Sequence, residues 1–336
     1  MPRRKPTIHD VAARAGVSKS LVSLALRGSE KVSVDSRLAI EAAAAELGYR
    51  PNAAARSLAD RRSRAIGVLV LDFNNPIFAQ ILDGVQQVAG AQGYNTLIVT
   101  GSADPIRQES ELARLLEFQV EGIILIAHRL TANTIMRISD ERPIAIITRR
   151  DVTGPNIDTV SNDDRAGAIM AVEYLVSLGH SRIAHITGGD NQIARDRELG
   201  YLDAMTSAGL PQHINVIPGD FTDSRGYRAA QELLTVAPDT TAAFVANDLS
   251  ALGAMAAVEE LGRQVPEDFS VIGYDGMALA TLRTLNLTTV QQPLIEMGRL
   301  AVTNLLERID NPNTQPVEMR VDSQLHIAGT CGPPKT

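Results

Sequence analysis

A single cysteine, Cys331, stands in a chain of 336 residues, so neither a disulfide framework nor a cysteine-based zinc site can form within one copy. Thiol scarcity of this kind suits a reducing compartment. The opening segment MPRRKPTIHD lacks the apolar core of a secretory leader, and no uncharged apolar run approaches the ~20 residues that span a bilayer. The expectation is a cytoplasmic protein with no membrane partner. Two glycine signatures of nucleotide sites, GxGxxG and GxxxxGK[ST], are missing, and Gly188-Gly189-Asp190 is too short to argue phosphate binding. His128, His180, His185, His213 and His326 are scattered without the spacing of a metal site or catalytic triad, and read as surface or satisfied core residues. No catalytic residue, cofactor or metal is therefore expected. Repeats of solenoid period and low-complexity segments are also absent.

Charge is present but unevenly placed. Residues 1 to 64 hold 13 Lys and Arg against 6 acids, a balance of +7, whereas the remaining chain holds 19 against 33, a balance of −14. The overall −7 thus hides a basic module joined to an acidic body. A polyanionic partner suits the module, because cations that neutralise phosphates release condensed counterions.

Within the module, Thr7 and Asp10 have the spacing of a capping box, and Val11, Ala12 and Ala15 give the helix that follows an apolar face. Gly16 permits a tight turn, Val17 plugs inward and Ser18 caps a second helix to about Leu26. The pair reads as a helix-turn-helix. Leu21, Val22, Ala25 and Leu26 form its buried stripe, leaving Lys19, Ser20, Ser23 and Leu24 toward the exposed end that meets base edges in a major groove. A third helix starts at Ser33, runs through the Ala-rich stretch to Leu47 and stops at Gly48. After Pro51, the segment from Asn52 to Ala59 can begin another helix, but seven or eight residues cannot hold one alone.

From Ala65 on, apolar strands at Ile66–Leu71, Thr96–Val99, Gly122–Ile126, Ile144–Thr148, Ile183–Thr187, Val216–Ile217, Ala242–Ala246 and Ser270–Gly273 alternate with helical stretches. The alternation predicts an α/β body of two doubly wound parallel sheets split near Val160, with a ligand in the cleft beside their strand ends.

Over essentially its whole length the sequence resembles the lactose-repressor/galactose-repressor family. TIHDVAARAGVSKSLVSLALRG, ELGYRPNAAARSL, Val160-Ser161-Asn162-Asp163-Asp164-Arg165, Arg197-Glu198-Leu199-Gly200-Tyr201, Phe244-Val245-Ala246-Asn247-Asp248 and Val271-Ile272-Gly273-Tyr274-Asp275 carry the resemblance. It implies a periplasmic-binding-protein-like body behind an all-α helix-turn-helix domain. The implied division is 1–50 for DNA binding, 51–62 for a hinge helix and linker, and 63–332 for effector binding and dimerisation. The last splits into 63–160 plus 293–320 and 161–290 plus 321–332. Matching positions assign DNA contacts to Thr7, Ser18, Lys19, Ser20, Ser23, Arg27, Ser33, Asn52, Ala55 and Leu58, the leucine as a minor-groove wedge. They assign effector contacts to Phe78, Arg149, Asp163, Arg197, Phe221, Asn247 and Asp275. Leu24 departs from the arginine frequent in the family, so the operator sequence does not transfer.

The reading is a homodimeric repressor of a double-stranded DNA operator, controlled by a small polar effector. Asp and Asn suit hydroxyls and Arg forks to two oxygens, which favours a sugar or polyol; Phe78 and Phe221 also suit a purine. A sugar-binding transport protein would require export, which the missing leader opposes. An enzyme with an appended DNA module lacks a catalytic constellation.

Overall fold

A computed structural model of the protein describes residues 6–26, 29, 31–50 and 62–335. It falls into two compact units, Met1–Arg64 and Ala65–Thr336. Arg27, Asn52, Ala55 and Leu58, and with them the hinge expectation, lie outside the described residues.

In the first unit α1 (Ile8–Ala15), α2 (Lys19–Leu26) and α3 (Val34–Leu47) enclose a core of Val11, Val22, Ala25, Val32, Ile40 and Ala43. At the start of α1 the Asp10 carboxylate accepts from both the Thr7 N–H and the Thr7 hydroxyl, each at 2.7 Å. Gly16 takes φ 67° and Gly48 φ 64°, left-handed positions where a side chain is strained, and there α1 and α3 end. Ser18 Oγ accepts from the Leu21 N–H at 3.1 Å, which fixes the start of α2. Arg37 on α3 donates to the carbonyls of Ala25 at 3.2 Å and Ser29 at 2.7 Å, tying the end of α2 to the third helix.

The second unit contains two sheets. The first has strand order β11-β5-β4-β3-β1-β2, comprising β1 (Ala65–Val70), β2 (Asn95–Thr100), β3 (Gly122–Ile126), β4 (Ile144–Ile147), β5 (Ile157–Asn162) and β11 (Glu318–Val321), and every pairing is parallel. The second has order β12-β10-β9-β8-β6-β7, comprising β6 (Ile183–Ile186), β7 (Asn215–Ile217), β8 (Ala242–Val245), β9 (Ser270–Asp275), β10 (Thr288–Gln291) and β12 (Gln324–His326). Only β12 there runs antiparallel. Strands such as AIGVLV and GIILI are buried along their whole length because helices cover both faces of a parallel sheet.

Helices α4 (Ile77–Ala91), α5 (Pro105–Glu117), α6 (Ala132–Ser139) and α11 (Leu294–Asp310) serve the first lobe; α7 (Asp164–Ser177), α8 (Gln192–Ser207), α9 (Asp223–Val236) and α10 (Asp248–Glu260) serve the second. The chain crosses between lobes after β5, after β10 and between β11 and β12. The predicted α/β architecture is therefore present, and the first crossing follows Asn162. The strands that lack apolar runs, β5, β10, β11 and β12, escape a reading by periodicity. In β5 the cause is visible: buried Asp158 accepts from Arg308 Nη2 at 2.6 Å and Nε at 2.8 Å, a pair that anchors α11 to the sheet.

Candidate functional sites

In the first unit, Lys19 and Ser20 stand exposed at the start of α2, with Ser18 exposed beside them as the cap. Ser23 lies one turn further on and is half-buried. Leu24 packs partly against the core instead of standing free, so the departure from arginine also serves the fold. Thr7 is occupied with Asp10, and Ser33 caps α3 by accepting from the Ser36 N–H at 3.3 Å.

In the second unit, non-glycine residues at or shortly past the ends of β3, β4, β7 and β9 have left-handed backbones, Ala127 at φ 52°, Thr148 at 82°, Phe221 at 67° and Asp275 at 111°, as does Ser102 at 53° after β2. Each such conformation costs on the order of 1–3 kcal/mol and persists where the surroundings impose it, commonly at binding sites. Parallel strands deliver these residues to the cleft side of the sheets.

The centre of the second lobe is Arg197, on the second turn of α8 and 3 % exposed. Its Nε donates to Asp164 at 2.8 Å, and its Nη1 donates to the Ala246 carbonyl at 2.5 Å and to Asp275 at 3.2 Å. The guanidinium lies over the Tyr274 ring at 3.6 Å, with Phe221 5.8 Å away. Burial pulls its pKa down, but Asp164 and Asp275 outweigh that and lift it above the ordinary value. Burial also raises both carboxyls, against the pull of Arg197. Gln292 Nε2 donates to Asp275 at 2.7 Å, and its Oε1 is buried without a partner. Asp248, pushed up first by burial and then by Asp275, accepts from Thr289 at 2.5 Å and from the Met277 N–H at 2.8 Å.

The other nominated positions divide. Phe221 lies against Gly188 so closely that a Cβ there would sit 2.1 Å from the ring. Asn247 is nearly fully buried; its Oδ1 caps α10 through the Ser250 N–H at 3.0 Å and its Nδ2 donates to the Phe221 carbonyl at 3.1 Å. It therefore shapes the Phe221 turn. Asp163 caps α7 through the Ala166 N–H at 3.0 Å and pairs with Arg320 at 3.2 Å, both surface contacts. Phe78 is 4 % exposed and belongs to the core with Ile66, Val70 and Ile81. Gln292, Asp164 and Tyr274 complete the cluster and are not among the residues the resemblance assigns to the effector; Asp164 and Tyr274 stand beside assigned residues within its motifs, whereas Gln292 is marked only by adjacency to a strand end.

At the ends of β3 and β4, Arg149 donates to both Asp151 oxygens at 2.9 and 2.6 Å and to His128 Nδ1 at 3.2 Å. A guanidinium only donates, so Nδ1 is the acceptor and the ring proton sits on Nε2, which is buried without a partner. Burial and then Arg149 hold His128 neutral, its pKa lowered to about 3. His180 and His185 are buried as well: His180 Nε2 donates to the Gly332 carbonyl at 2.8 Å and His185 Nδ1 to that of Phe244 at 3.0 Å. Among the described residues no group of three or more His, Cys, Asp or Glu could hold a metal, and no helix is long and apolar enough to cross a membrane.

A helix-turn-helix unit joined to a two-lobed body with a polar cluster at its strand ends defines the build of a DNA-binding regulator. Comparison with known proteins agrees. The family described as bacterial regulatory proteins, lacI family, matches residues 7–52, and the periplasmic binding protein-like domain matches 172–331. The chain is 35 % identical over 309 residues to the ribose operon repressor of Haemophilus influenzae, covering 91 % of this chain and 93 % of that protein. It is 34 % identical over 336 residues to the transcriptional regulator CelR of Thermobifida fusca, covering 97 % and 98 %, and 34 % over 319 residues to the repressor PurR of Erwinia tasmaniensis, covering 94 % of each. Among solved structures, a CelR–cellobiose complex covers 97 % of this chain and 99 % of its own at 32 % identity and TM-score 0.72. A lac repressor dimer bound to operator and the anti-inducer ONPF covers the same shares at 28 % identity and TM-score 0.85. The chain belongs to the LacI family of bacterial transcriptional regulators.

Proposed function

We propose that this chain acts as a cytoplasmic, homodimeric repressor that reads its operator through the start of α2, with Lys19, Ser20 and Ser23 toward the bases and Thr7, Ser18 and Ser33 toward the backbone. Its effector is an uncharged sugar or polyol held at the cleft by Arg197, Asp275, Gln292 and Phe221. It works by binding and not by catalysis.

The observation that carries the effector class is the charge balance around Arg197. Three guanidiniums, Arg149, Arg150 and Arg197, face four carboxylates, Asp151, Asp196, Asp164 and Asp275. These seven groups sum to a charge of −1, which disfavours an anionic ligand. The remaining donors and acceptors, including Gln292 Oε1 and His128 Nε2, suit hydroxyl groups. The purine alternative draws support from the PurR relatives and from the Phe221 face, but a purine gains from a second ring, and Phe78 is committed to the core. Neighbours bound to cellobiose and to ribose add to the sugar reading.

Thermal unfolding of the full chain against ribose, cellobiose, inositol, hypoxanthine and guanine tests this. A ligand near a hundredfold above its Kd adds about 2.7 kcal/mol, a rise of several degrees. A shift from a purine base, with none from sugars or polyols, would overturn the effector class.

A further inference from the structure

We propose that Arg150 is the residue with which the first lobe reads the effector, and that the same side chain draws the lobes together by pairing with Asp196. The proposal rests on the sugar-or-polyol reading of the cleft.

Arg149 and Arg150 leave the end of β4 side by side, but their surroundings separate their roles. The Arg149 guanidinium is spent: besides Asp151 and His128 Nδ1, its Nη1 donates to the carbonyls of His128 and Leu130, both at 3.3 Å. It staples the end of β3 to the end of β4. Arg150 makes one long contact, Nη2 to Asp196 Oδ2 at 3.4 Å, and its Nη1 is buried with no partner. Two further polar atoms at these strand ends share that condition, Thr148 Oγ1 and His128 Nε2. Since β3 and β4 are hydrogen-bonded neighbours, the residues that carry these unspent atoms leave adjacent strand ends. Buried donors without partners are rare in native proteins, and a cluster of them at strand ends marks the place a polar ligand fills.

Asp196 belongs to the other lobe, one residue before Arg197 on α8, and its second oxygen accepts from Gln192 at 2.8 Å. The Arg150–Asp196 pair therefore spans from these strand ends of the first lobe to the arginine cluster of the second. The Arg320–Asp163 pair also joins the lobes, but beside a crossover where the chain itself holds them together. Arg150 meets Asp196 away from those crossovers. An effector oxygen that accepts from Arg150 Nη1 fixes the guanidinium plane and with it the Nη2 bond to Asp196. The effector then binds the closed body more tightly than the open one, the differential that a conformational response requires.

Calorimetry on the full chain with ribose, cellobiose and inositol as probes, paired with the radius of gyration from solution scattering, tests the assignment. For whichever probe binds, Arg150→Ala is expected to weaken binding about 10- to 100-fold, the usual effect of losing a hydrogen bond from a charged donor. Compaction on binding should disappear with it. Asp196→Asn should weaken binding less than Arg150→Ala while reducing the compaction. Arg150→Lys reaches one partner but not both, so it should retain part of the affinity without the compaction, and it answers the question if the alanine variant loses its fold. Wild-type affinity and compaction in Arg150→Ala and Arg150→Lys would overturn the proposal and leave the cleft reading standing. Absence of binding by any probe to the wild type would overturn both.

Discussion

At the scale of single residues, the body spends its ionisable groups on internal structure, and this has a pH signature. His185 is stacked between Phe244 at 4.7 Å and Tyr201 at 5.4 Å, donates from Nδ1 to the Phe244 carbonyl, and keeps Nε2 buried without a partner. Burial lowers its pKa from 6.5 to about 4. Between those values the unfolded chain binds a proton that the folded chain does not, so the stability this histidine contributes is complete above pH 6.5 and is lost as pH falls toward 4. The slope from one proton is about 1.4 kcal/mol per pH unit at most. Asp164, Asp248 and Asp275, raised by burial, act in the opposite direction, so the difference between wild type and His185→Phe isolates the histidine. Urea titrations at pH 4.5 and 6.5 should show a smaller loss of stability on acidification in the variant; an equal loss would mean that His185 is protonated in the fold.

Arg197 is a second residue whose structural role changes what its removal should do. A ligand contact alone would cost affinity and little else. Here Arg197→Ala leaves Asp164 and Asp275 buried beside each other without their cation, and breaking a buried pair on one side costs about 3–5 kcal/mol. Chemical denaturation should therefore show a large drop in stability before any effector is added. An unchanged midpoint would show the carboxyls to be neutral or solvated. The site is legible in the sequence only to this degree: the family resemblance assigns Arg197, Asp275 and Phe221 to the effector, and the three do lie together. Residue type leaves open whether Asn247 caps a strand-end loop and whether Phe78 is core; in the structure Asn247 and Asp163 commit an oxygen to a helix cap and Phe78 faces the core. Those fates depend on side-chain direction, which a lone sequence does not carry.

At the scale of elements, three helix pairs are closed over glycine. A Cβ on Gly84 of α4 would lie 2.0 Å from the Ile295 carbonyl oxygen of α11, and one on Gly298 of α11 would lie 2.2 Å from that of Ile81. Gly226 and Gly253 do the same between α9 and α10, and Gly200 of α8 meets the Arg165 carbonyl of α7. Backbone contact of this kind cannot relax by rotating a side chain. Gly84→Ala should destabilise the body by about 1–3 kcal/mol, the cost of overpacking. Gly90→Ala, on the same helix with open space around it, should instead gain up to about 1 kcal/mol from helix propensity. Matched melting curves check the pair, and equal shifts would show that the α4–α11 contact is loose. The strongly apolar strands and the amphipathic helices were readable because burial on both faces of a parallel sheet demands unbroken apolar runs. Strands β5 and β10 carry buried Asp158, Thr159, Thr288 and Thr289; Asp158, Thr288 and Thr289 bond to partners far away in the chain and so leave no local trace. Helix α11 packs on the lobe whose strands β1 to β5 precede it by well over a hundred residues, a placement set by the crossover after β10.

At the scale of the whole molecule, the separation of charge between the two units decides how DNA affinity should depend on conditions. The first 64 residues carry +7 and the remainder −14, so at low ionic strength the body repels a duplex that the head attracts. Affinity for any DNA should then fall steeply with salt, with a slope near 0.9 for each phosphate neutralised, and the slope belongs to the head alone. A fragment beginning at Ser63 should show no operator binding in a gel shift at any salt concentration. Within the full chain, Lys19→Ala should do something different from lowering the charge. Lys19 is exposed at the first position of α2, where a recognition helix meets base edges, so its loss should change the preferred operator bases as well as the affinity. Selection from a randomised duplex library, run at two salt concentrations, separates the two effects. A lysine that only neutralises a phosphate would lower the salt slope by about one and leave the selected sequence unchanged. A lysine that reads a base would shift the selected sequence at the same position at both salt concentrations, because hydrogen bonding to a base edge does not depend on released counterions. An unchanged consensus with a reduced slope would remove Lys19 from the base readers and leave the specificity of the head to Ser20 and Ser23.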